Sequence, residues 1–274
     1  MVTNVAPPPF GDLLRRWRER RRVSQLDLSG EAGISARHLS FVETGRAKPS
    51  RETVLRLAKH LEVPLREQND LLLAAGYAPV FPQRPLDDPA LQPVRETVGL
   101  ILRGHEPFPA LALDRHWNVV AMNRAVPPLL DGVSSALLEP PVNVLRLSLH
   151  PDGLAPRILN LARWREHLFE QLARQIRLTS DPALIALEDE LGAYPGPPLA
   201  QQLQDHAGVA VPLQLVAHGT ALSLISTTTV FGTPVDVTVS ELALETFFPA
   251  DAETAEVLKN APGRQTRAPD CRDQ

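Results

Sequence analysis

Apolar residues recur every three or four positions along the first 77 residues, with charged residues between them, and this spacing predicts short amphipathic helices. A serine precedes three of the apolar stretches, at Ser24, Ser35 and Ser50, in the position of a helix N-cap. Gly33 follows one stretch and is expected to end it. The pattern predicts an all-α domain of five short helices over residues 10–77, with a tight turn between the second and third helices.

Proline dominates the next stretch of the chain, with five prolines in the 16 residues 78–93. Because proline lacks a backbone N–H and restricts its own backbone and that of the residue before it, this density disfavours both helix and sheet. We predict an extended linker over residues 78–90. Helical spacing returns from Leu91 to Leu102, and this helix could pack on the second domain or pair with its copy in a dimer.

Strand and helix patterns alternate in the remaining chain. Strands are predicted at Ala110–Leu113 and Trp117–Met122, followed by a helix whose N-cap would be Asn123. Longer helices are predicted at Ile158–Ile176 and Pro182–Leu191, where apolar residues keep helical spacing. Three further strands are predicted from later segments rich in branched residues, at Val209–Leu215, Leu222–Val230 and Val235–Val239.

The order of two strands, several helices and three strands predicts an α+β domain over residues 91–258. Its five-stranded antiparallel sheet would be covered by helices on one face. The polar residues 259–274 are predicted to form a flexible tail. The whole chain therefore has an α+β fold, with an all-α domain first and a mixed domain second.

Charge separates the two parts of the chain. Residues 1–80 contain 13 Lys and Arg against 9 Asp and Glu, a net charge of +4, whereas the remainder contains 15 against 23, a net charge of −8. Only the first part is suited to a polyanion. The single cysteine, Cys271, excludes an internal disulfide and favours a reducing cytoplasm. The chain starts without a signal-peptide pattern and contains no run of 18 apolar residues, so neither export nor a membrane span is expected.

Lysine is rare enough to restrict the chemistry of the second domain. The three lysines of the chain are Lys48, Lys59 and Lys259, so residues 60–258 contain no lysine nucleophile or base. This excludes a Ser-Lys self-cleaving domain and a pyridoxal-phosphate Schiff base there. The histidines form no HExxH motif, and the sequence has no glycine-rich phosphate loop. We therefore predict no catalytic site, no metal site and no cofactor.

Two capped helices joined by a tight turn, the second with small and polar side chains on its free face, are typical of a helix-turn-helix. The run VSQLDLSGEAGISARHLSFVETGRAKPSRETVLRLAKHL resembles the xenobiotic-response-element (Cro/C1-type) regulators, and the resemblance extends from Phe10 to about Gly76. It implies that double-stranded operator DNA is the partner. It also matches Gln25 to the glutamine with which that family contacts phosphate.

The candidate DNA-binding residues lie at the start of the inserted helix and on its flanks. Side chains in the first turn of such a helix reach base edges in the major groove, whereas flanking donors bind phosphates. The candidates are Gln25, Ser35, Ala36, Arg37, His38, Ser40, Arg46 and Lys48. Ser35, Arg37 and His38 are predicted to read bases. One such domain binds weakly, so we expect a homodimer on two half-sites roughly 34 Å apart.

The second domain has the element order of a PAS domain. Its segments LALDRHWNVVAMNRA, NVLRLSLHPDG and NLARWREHLFEQLARQ resemble the ligand-binding domain of MmyB-like regulators, over about Phe108 to Phe248. This resemblance implies a PAS-like fold with an apolar cavity that can hold a fatty acyl chain. The candidate ligand-binding residues are Trp117, Asn123, Leu145, Arg146, Leu149, His150, Leu161, Trp164 and Leu168.

Among the polar candidates, Arg146 is the first choice as anchor for a ligand carboxylate. It interrupts an apolar run, Val144–Leu149, where an unpaired charge would be unfavourable. The residues leave three functions open: a regulator that senses an apolar ligand, a regulator whose second domain has a filled core and serves dimerisation or partner binding, and an enzyme with a DNA-binding appendage.

Overall fold

The computed structural model describes residues 8–197, 211–217 and 219–260. Two compact units divide the chain: residues up to Leu86 with Thr233–Ser240 form the N-terminal unit, and Asp87–Gly232 with the residues from Glu241 form the C-terminal unit. The helices of the described residues are α1 Phe10–Arg20, α2 Gln25–Glu31, α3 Ala36–Glu43, α4 Arg51–His60, α5 Leu65–Ala74, α6 Gln92–Gly104, α7 Val144–Leu149, α8 Leu161–Thr179, α9 Pro182–Gly192, α10 Val237–Ser240 and α11 Ala252–Asn260. The strands are β1 Ala110–Leu113, β2 Val119–Met122, β3 Leu213–Ala217, β4 Thr220–Val230 and β5 Ala243–Pro249.

The five helices predicted for the N-terminal domain are confirmed as α1 to α5. The three serine caps are confirmed as well, because Ser24, Ser35 and Ser50 each accept a hydrogen bond from the backbone N–H three residues further on. A shared core of leucines joins the helices. Its fully buried members are Leu14, Leu28, Leu39, Leu57, Leu61, Leu71 and Leu72.

Helix α1 crosses the end of α3 at a glycine. A side chain at Gly11 would collide with the backbone carbonyl of Glu43, so only a residue without a Cβ allows this approach. The close crossing brings the arginines of α1 next to the carboxylate of Glu43. The backbone therefore determines which charges can meet at the C-terminal end of α3.

The proline-rich segment packs with the N-terminal unit over part of its length instead of beginning a free linker at residue 78. The side chain of Asn69 on α5 accepts hydrogen bonds from the backbone N–H groups of Val80 and Phe81. Its amide nitrogen donates to the carbonyl of Phe81 over 2.7 Å. Because these contacts fix the segment locally, the N-terminal unit extends to Leu86.

The strand predicted at Val235–Val239 is wrong. Residues Val237–Val239 of this segment lie in α10, which belongs to the N-terminal unit. Asp236 accepts a hydrogen bond from the backbone N–H of Thr238 at 2.9 Å, as a helix N-cap does. The backbone N–H of Val237 donates to the carbonyl of Pro82 at 2.8 Å. The cap at Asp236 and the hydrogen bond to Pro82, which is distant in sequence, thus outweigh the preference of the alternating valines for a strand.

The C-terminal unit contains an antiparallel sheet with the order β2-β1-β5-β4-β3. This architecture confirms the predicted α+β fold. The central strand, β5, is not among the predicted strands. It begins at Ala243, four residues after the end of Val235–Val239, the stretch that was expected to form the fifth strand. The predicted strand at Val209–Leu215 corresponds to β3, although its first two residues, 209 and 210, lie outside the described residues.

Helices cover both faces of the sheet, so the predicted one-sided covering is wrong. On one face α6 packs Val98 and Leu102 against β1 and β5. On the other face α7, α8 and α9 pack against β3 and β4, with Leu172 fully buried at their centre. Helix α11 extends to Asn260, and the rest of the predicted tail, including Cys271, lies outside the described residues.

Candidate DNA interface and ligand cavity

The first candidate site is the N-terminal turn of α3. Ser35 accepts a hydrogen bond from the backbone N–H of His38 at 3.1 Å and is itself exposed. Arg37 is exposed, and its guanidinium carbon lies 5.3 Å from the centre of the Phe41 ring, a cation–π contact along the helix. The neighbouring candidates are half-buried: Ala36, His38 and Ser40. The turn thus presents donors of hydrogen bonds on an accessible helix surface.

A buried carboxylate anchors the other end of α3. Glu43 is 2% exposed, and its two oxygens accept hydrogen bonds from Arg18 at 2.7 and 3.0 Å. Arg15 lies 3.6 Å from one of these oxygens. Burial by itself would raise the pKa of Glu43, but hydrogen bonds from Arg18 and Gln25 and the charges of both arginines outweigh it and lower the pKa. The ionised carboxylate therefore joins α1 to α3.

Gln25, the predicted phosphate contact, is part of this network. Its side-chain nitrogen donates to Glu43 at 2.7 Å, which fixes the orientation of the amide at the start of α2. An amide nitrogen has two hydrogens, so one is left for a phosphate oxygen. Glu43 thereby links the two helices of the helix-turn-helix to α1.

The two flanking cations follow α3 in the turn before α4. Arg46 and Lys48 are both exposed, as residues that neutralise phosphates need to be. The ammonium of Lys48 lies 5.3 Å from the centre of the Tyr77 ring. The structure thus brings the predicted set onto α3, the start of α2 and the loop after α3, and their roles in DNA binding stay predictions.

The second candidate site is an apolar cavity of about 80 Å³ in the C-terminal unit. The sheet contributes apolar side chains from all five strands, among them Leu111, Leu224 and Phe247. Helices α7 and α8 and the 3₁₀ turn Pro127–Leu130 supply the opposite walls. Within the described part of the chain, the lining is apolar except for Ser148, Glu245 and the indole N–H groups of two tryptophans.

Four of the nine predicted ligand-binding residues line the cavity: Trp117, Leu145, Trp164 and Leu168. The indole N–H of Trp117 donates to the side-chain oxygen of Gln175 at 2.7 Å, which fixes the ring. Trp164 is 3% exposed. The other five predicted residues are not among those that line the cavity: Asn123, Arg146, Leu149, His150 and Leu161.

Arg146, the predicted carboxylate anchor, is paired within the protein. It donates two hydrogen bonds of 2.7 Å to Glu190, which raises the pKa of Arg146 and lowers that of Glu190. The hydroxyl of Tyr194 also donates to Glu190, at 2.5 Å, and burial together with this carboxylate raises the pKa of Tyr194 to about 12. The apolar run around Arg146 is helix α7, and the arginine joins its outer face to α9.

Asn123 does not cap a helix, contrary to the prediction. Its side-chain oxygen accepts a hydrogen bond from the backbone N–H of Ala110 at 3.1 Å, and its nitrogen donates to the carbonyls of Leu102 and Phe108. The side chain is buried and satisfied by these backbone groups. Asn123 therefore connects the end of β2 to β1 and to the end of α6.

Glu245 is a lining residue that the sequence reasoning missed. It lies on β5, directly opposite Leu111 on β1 and Thr228 on β4. Burial raises its pKa to about 7, although a hydrogen bond from Ser226 acts in the opposite direction. Along β5, Glu245 stands between Ala243 and Phe247 on one face of the strand. A carboxylic acid between two apolar residues on a strand face is the signal that could have indicated Glu245, but no strand is predicted there from the sequence.

The N-terminal domain exposes the capped start of its third helix, and the α+β domain that follows it surrounds an apolar cavity. This combination is typical of one class of protein: DNA-binding transcriptional regulators of the helix-turn-helix type with a ligand-binding domain. Comparison with known families agrees. Residues 9–71 match a helix-turn-helix domain. Residues 94–261 match the MmyB-like transcription regulator ligand binding domain, and since this match covers more than half of the chain, the protein belongs to the MmyB-like transcription regulators.

Two curated proteins are similar to parts of the chain. The "Uncharacterized HTH-type transcriptional regulator RghRB" of Bacillus subtilis is 37% identical over 76 residues, which are 27% of this chain and 52% of that protein. A "Putative HTH-type transcriptional regulatory protein" of Methanoculleus marisnigri is 34% identical over 116 residues, 40% of this chain and 37% of that protein. The chain thus spans about half of the first relative and less than two fifths of the second.

The described residues, 8–197, 211–217 and 219–260, contain neither a candidate membrane-spanning helix nor a candidate metal site. No described helix combines the length and the apolar character that crossing a bilayer requires. Across the same ranges, no three His, Cys, Asp or Glu side chains come together as metal ligands would.

Proposed function

We propose that this protein binds a palindromic operator as a homodimer and changes its DNA binding when a small apolar molecule with a short hydrocarbon chain occupies the C-terminal cavity. The observation that carries the proposal is the exposed start of α3, where Ser35 caps the helix and Arg37 projects into solvent. Bidentate contacts to bases need a fixed helix. The network around Glu43 supplies that rigidity at the other end of α3.

Gel-shift titration of genomic fragments with the full chain tests DNA binding. Replacing Arg37 by alanine should weaken binding by about 5- to 150-fold, the loss of a base contact worth roughly 1–3 kcal/mol. Lys59→Ala removes the same charge from an exposed position in the last turn of α4 and serves as the control, with an expected change below about twofold. If no fragment is retarded at low salt, the proposed function is wrong.

Phosphate contacts have a separate signature. If Arg46 and Lys48 each neutralise one phosphate, each alanine variant should reduce the slope of log affinity against log salt by about 0.9. The fragment preference of both variants should stay the same, because phosphate contacts carry no sequence information. If the salt slope of a variant equals that of the unmodified protein, the replaced residue does not contact a phosphate.

The cavity sets the size of the ligand. A cavity needs about 10–15 Å³ to admit one water molecule, so about 80 Å³ accommodates roughly six groups of that size. Six methylenes contribute about 5 kcal/mol on burial, close to the lower bound of about 4 kcal/mol for the cost of association. A ligand of this size therefore binds weakly unless a polar contact adds to apolar burial, and a chain of a dozen methylenes requires the walls to move.

The proposed dimer has a candidate surface on α6. Leu100 is 64% exposed and Ile101 is 39% exposed on this helix, whereas Val98 and Leu102 face the sheet. Leu100→Asp should shift sedimentation equilibrium from dimer to monomer. Leu159→Asp, at a position 61% exposed before α8, is the matched control and should leave the association unchanged.

A route from the cavity to the DNA-binding unit follows the chain. Strand β5 lines the cavity, and α10, which belongs to the N-terminal unit, ends three residues before β5 begins. There the carboxylate of Asp236 accepts a hydrogen bond from Arg84 at 2.7 Å, and the hydroxyl of Thr238 donates to the carbonyl of Arg84 at 2.6 Å. A ligand that favours one position of β5 can thus bias the N-terminal unit.

Arg84→Ala tests this route. The variant should bind DNA without ligand within about threefold of the unmodified protein, but the change in DNA affinity caused by saturating hexan-1-ol should shrink at least fivefold. Arg163→Ala, which removes an exposed arginine from α8, is the control and should keep the full response. An unchanged response in Arg84→Ala would show that coupling takes another path.

A further inference from the structure

Glu245 occupies an unusual position for a carboxylic acid. Its neighbours across the sheet are Leu111 on β1 and Thr228 on β4, and Phe247 follows it on the same face of β5. This face of the sheet forms one wall of the apolar cavity. Glu245 is partly accessible because it borders the cavity, yet dense packing around it raises its pKa to about 7.

The described residues around the cavity supply no countercharge to Glu245. Among the described residues that line the cavity, from the sheet, α7, α8 and the 3₁₀ turn, Glu245 is the one ionisable group. Its hydrogen-bonding neighbour is the neutral hydroxyl of Ser226 on β4. Arginines of the same unit have their charges engaged elsewhere: Arg146 pairs with Glu190, and Arg165 donates to the carbonyls of Leu191, Gly192 and Tyr194.

We propose that the cavity selects an apolar amine, whose protonated nitrogen pairs with the carboxylate of Glu245 while its hydrocarbon part contacts the surrounding leucines and Trp164. This inference rests on the proposed ligand-binding function and specifies the chemistry of the ligand. A cation supplies the charge that the described lining does not contain. The Coulombic attraction between the two charges is stronger away from water, and it offsets part of the hydration that the amine loses on entering the cavity. A carboxylate placed at the same point is repelled by Glu245 unless the two groups share a proton.

Three probes of equal length separate the effect of charge from that of apolar burial. Hexylamine, hexan-1-ol and hexanoate have six carbons each, which suits a cavity of about 80 Å³. At pH 8 the amine is protonated, the acid is ionised and the alcohol is neutral. Glu245 is predominantly ionised at this pH, because its pKa is about 7. Ligand-detected NMR titration measures the weak affinities that chains of this length give.

The full chain should bind hexylamine at least tenfold more tightly than hexanoate. Glu245→Gln should lower the affinity for hexylamine at least fivefold and reduce the preference for amine over acid by the same factor. Its affinity for hexan-1-ol should change by less than threefold, which shows that the cavity is intact. Glu253→Gln removes the same charge from an exposed position on α11 and should leave all three affinities unchanged.

The outcomes distinguish this inference from the proposed function. If hexan-1-ol binds but hexylamine is not preferred to hexanoate, or if Glu245→Gln keeps the preference, the role of Glu245 is wrong while the ligand cavity stands. If none of the probes binds to either protein, the ligand-binding function fails, and the selection of an amine fails with it.

Discussion

Glu43 in the N-terminal unit and Glu245 in the C-terminal unit are the same residue type in opposite surroundings. Glu43 is buried among Arg18, Arg15 and Gln25, and these donors and charges lower its pKa in spite of burial. Glu245 lines an apolar cavity whose described residues include no cation, and burial raises its pKa to about 7. The neighbours of a buried carboxyl group, more than its depth, decide whether it is ionised.

The two units use charge in different ways. In the N-terminal unit the paired carboxylate fixes α1, α2 and α3 relative to one another, which a surface that docks on DNA requires. In the C-terminal unit the unpaired carboxyl group destabilises its own fold when it ionises. Such a group is a candidate for function, because a ligand of opposite charge relieves the unfavourable energy.

The largest expected effect comes from removing the charge of Glu43. Glu43→Gln leaves Arg18, whose side chain is 12% exposed, without its countercharge and should destabilise the protein by about 3–5 kcal/mol in urea unfolding. Because the folded pKa is lowered, the stabilisation is present above about pH 4.5, where the unfolded carboxyl titrates, and is lost as pH falls through the folded pKa. Glu52→Gln, exposed on α4, is the control. A loss below about 1 kcal/mol contradicts the role of the network.

The opposite sign is expected for Glu245→Gln. A pKa raised from 4.5 to about 7 corresponds to about 3 kcal/mol of destabilisation by the charged form. This destabilisation is absent below pH 4.5, grows between pH 4.5 and 7, and is complete above pH 7. The variant should therefore gain stability over the unmodified protein between pH 5 and pH 8, by about 2–3 kcal/mol in urea titrations. A difference independent of pH would show that Glu245 titrates normally.

Arg18 and Arg15 should contribute unequally to the stability that the network of Glu43 provides. Arg18 is mostly buried and donates two hydrogen bonds to the carboxylate, whereas the side chain of Arg15 is 41% exposed and lies 3.6 Å away. Arg18→Ala should cost about 2 kcal/mol and Arg15→Ala less than about 0.5 kcal/mol, since exposed ion pairs contribute little. Equal losses of unfolding free energy in thermal unfolding would show that each arginine acts through its charge and that the hydrogen bonds of Arg18 add nothing.

A smaller effect than that of either carboxyl substitution is expected at Ser226. Its hydroxyl hydrogen bond favours the ionised form of Glu245, so Ser226→Ala should raise the pKa of Glu245 further. A hydrogen bond contributes about 1.5–3 kcal/mol with the ionised carboxylate and about 0.5–1.5 kcal/mol with the neutral acid, so the difference, which sets the change in pKa, is about 1 kcal/mol. The 13C chemical shift of the carboxyl carbon measures the change during a pH titration. A lowered pKa would contradict the proposed hydrogen bond.

Local chemistry made the N-terminal unit predictable. Ser24, Ser35 and Ser50 satisfy backbone groups within their own helices, and the apolar stripe of each helix follows directly from spacing. The same reasoning failed at α10, where the valine alternation is that of a strand. Asp236 caps a helical turn there, and Val237 bonds to Pro82, a residue more than 150 positions earlier in the chain. Contacts at such separation leave no periodic signal.

The two domains, the α+β class and the capped helix-turn-helix could be predicted from the amino-acid sequence, because they depend on local spacing and on the order of elements. The cavity of the second domain was implied by the resemblance to a known family. The folded chain was needed to show that Arg146 pairs with Glu190, that Asn123 joins the end of β2 to β1 and that Glu245 faces the cavity. The reason is physical: the partner of a polar side chain, and with it the state of its charge, is set by segments that meet only after folding.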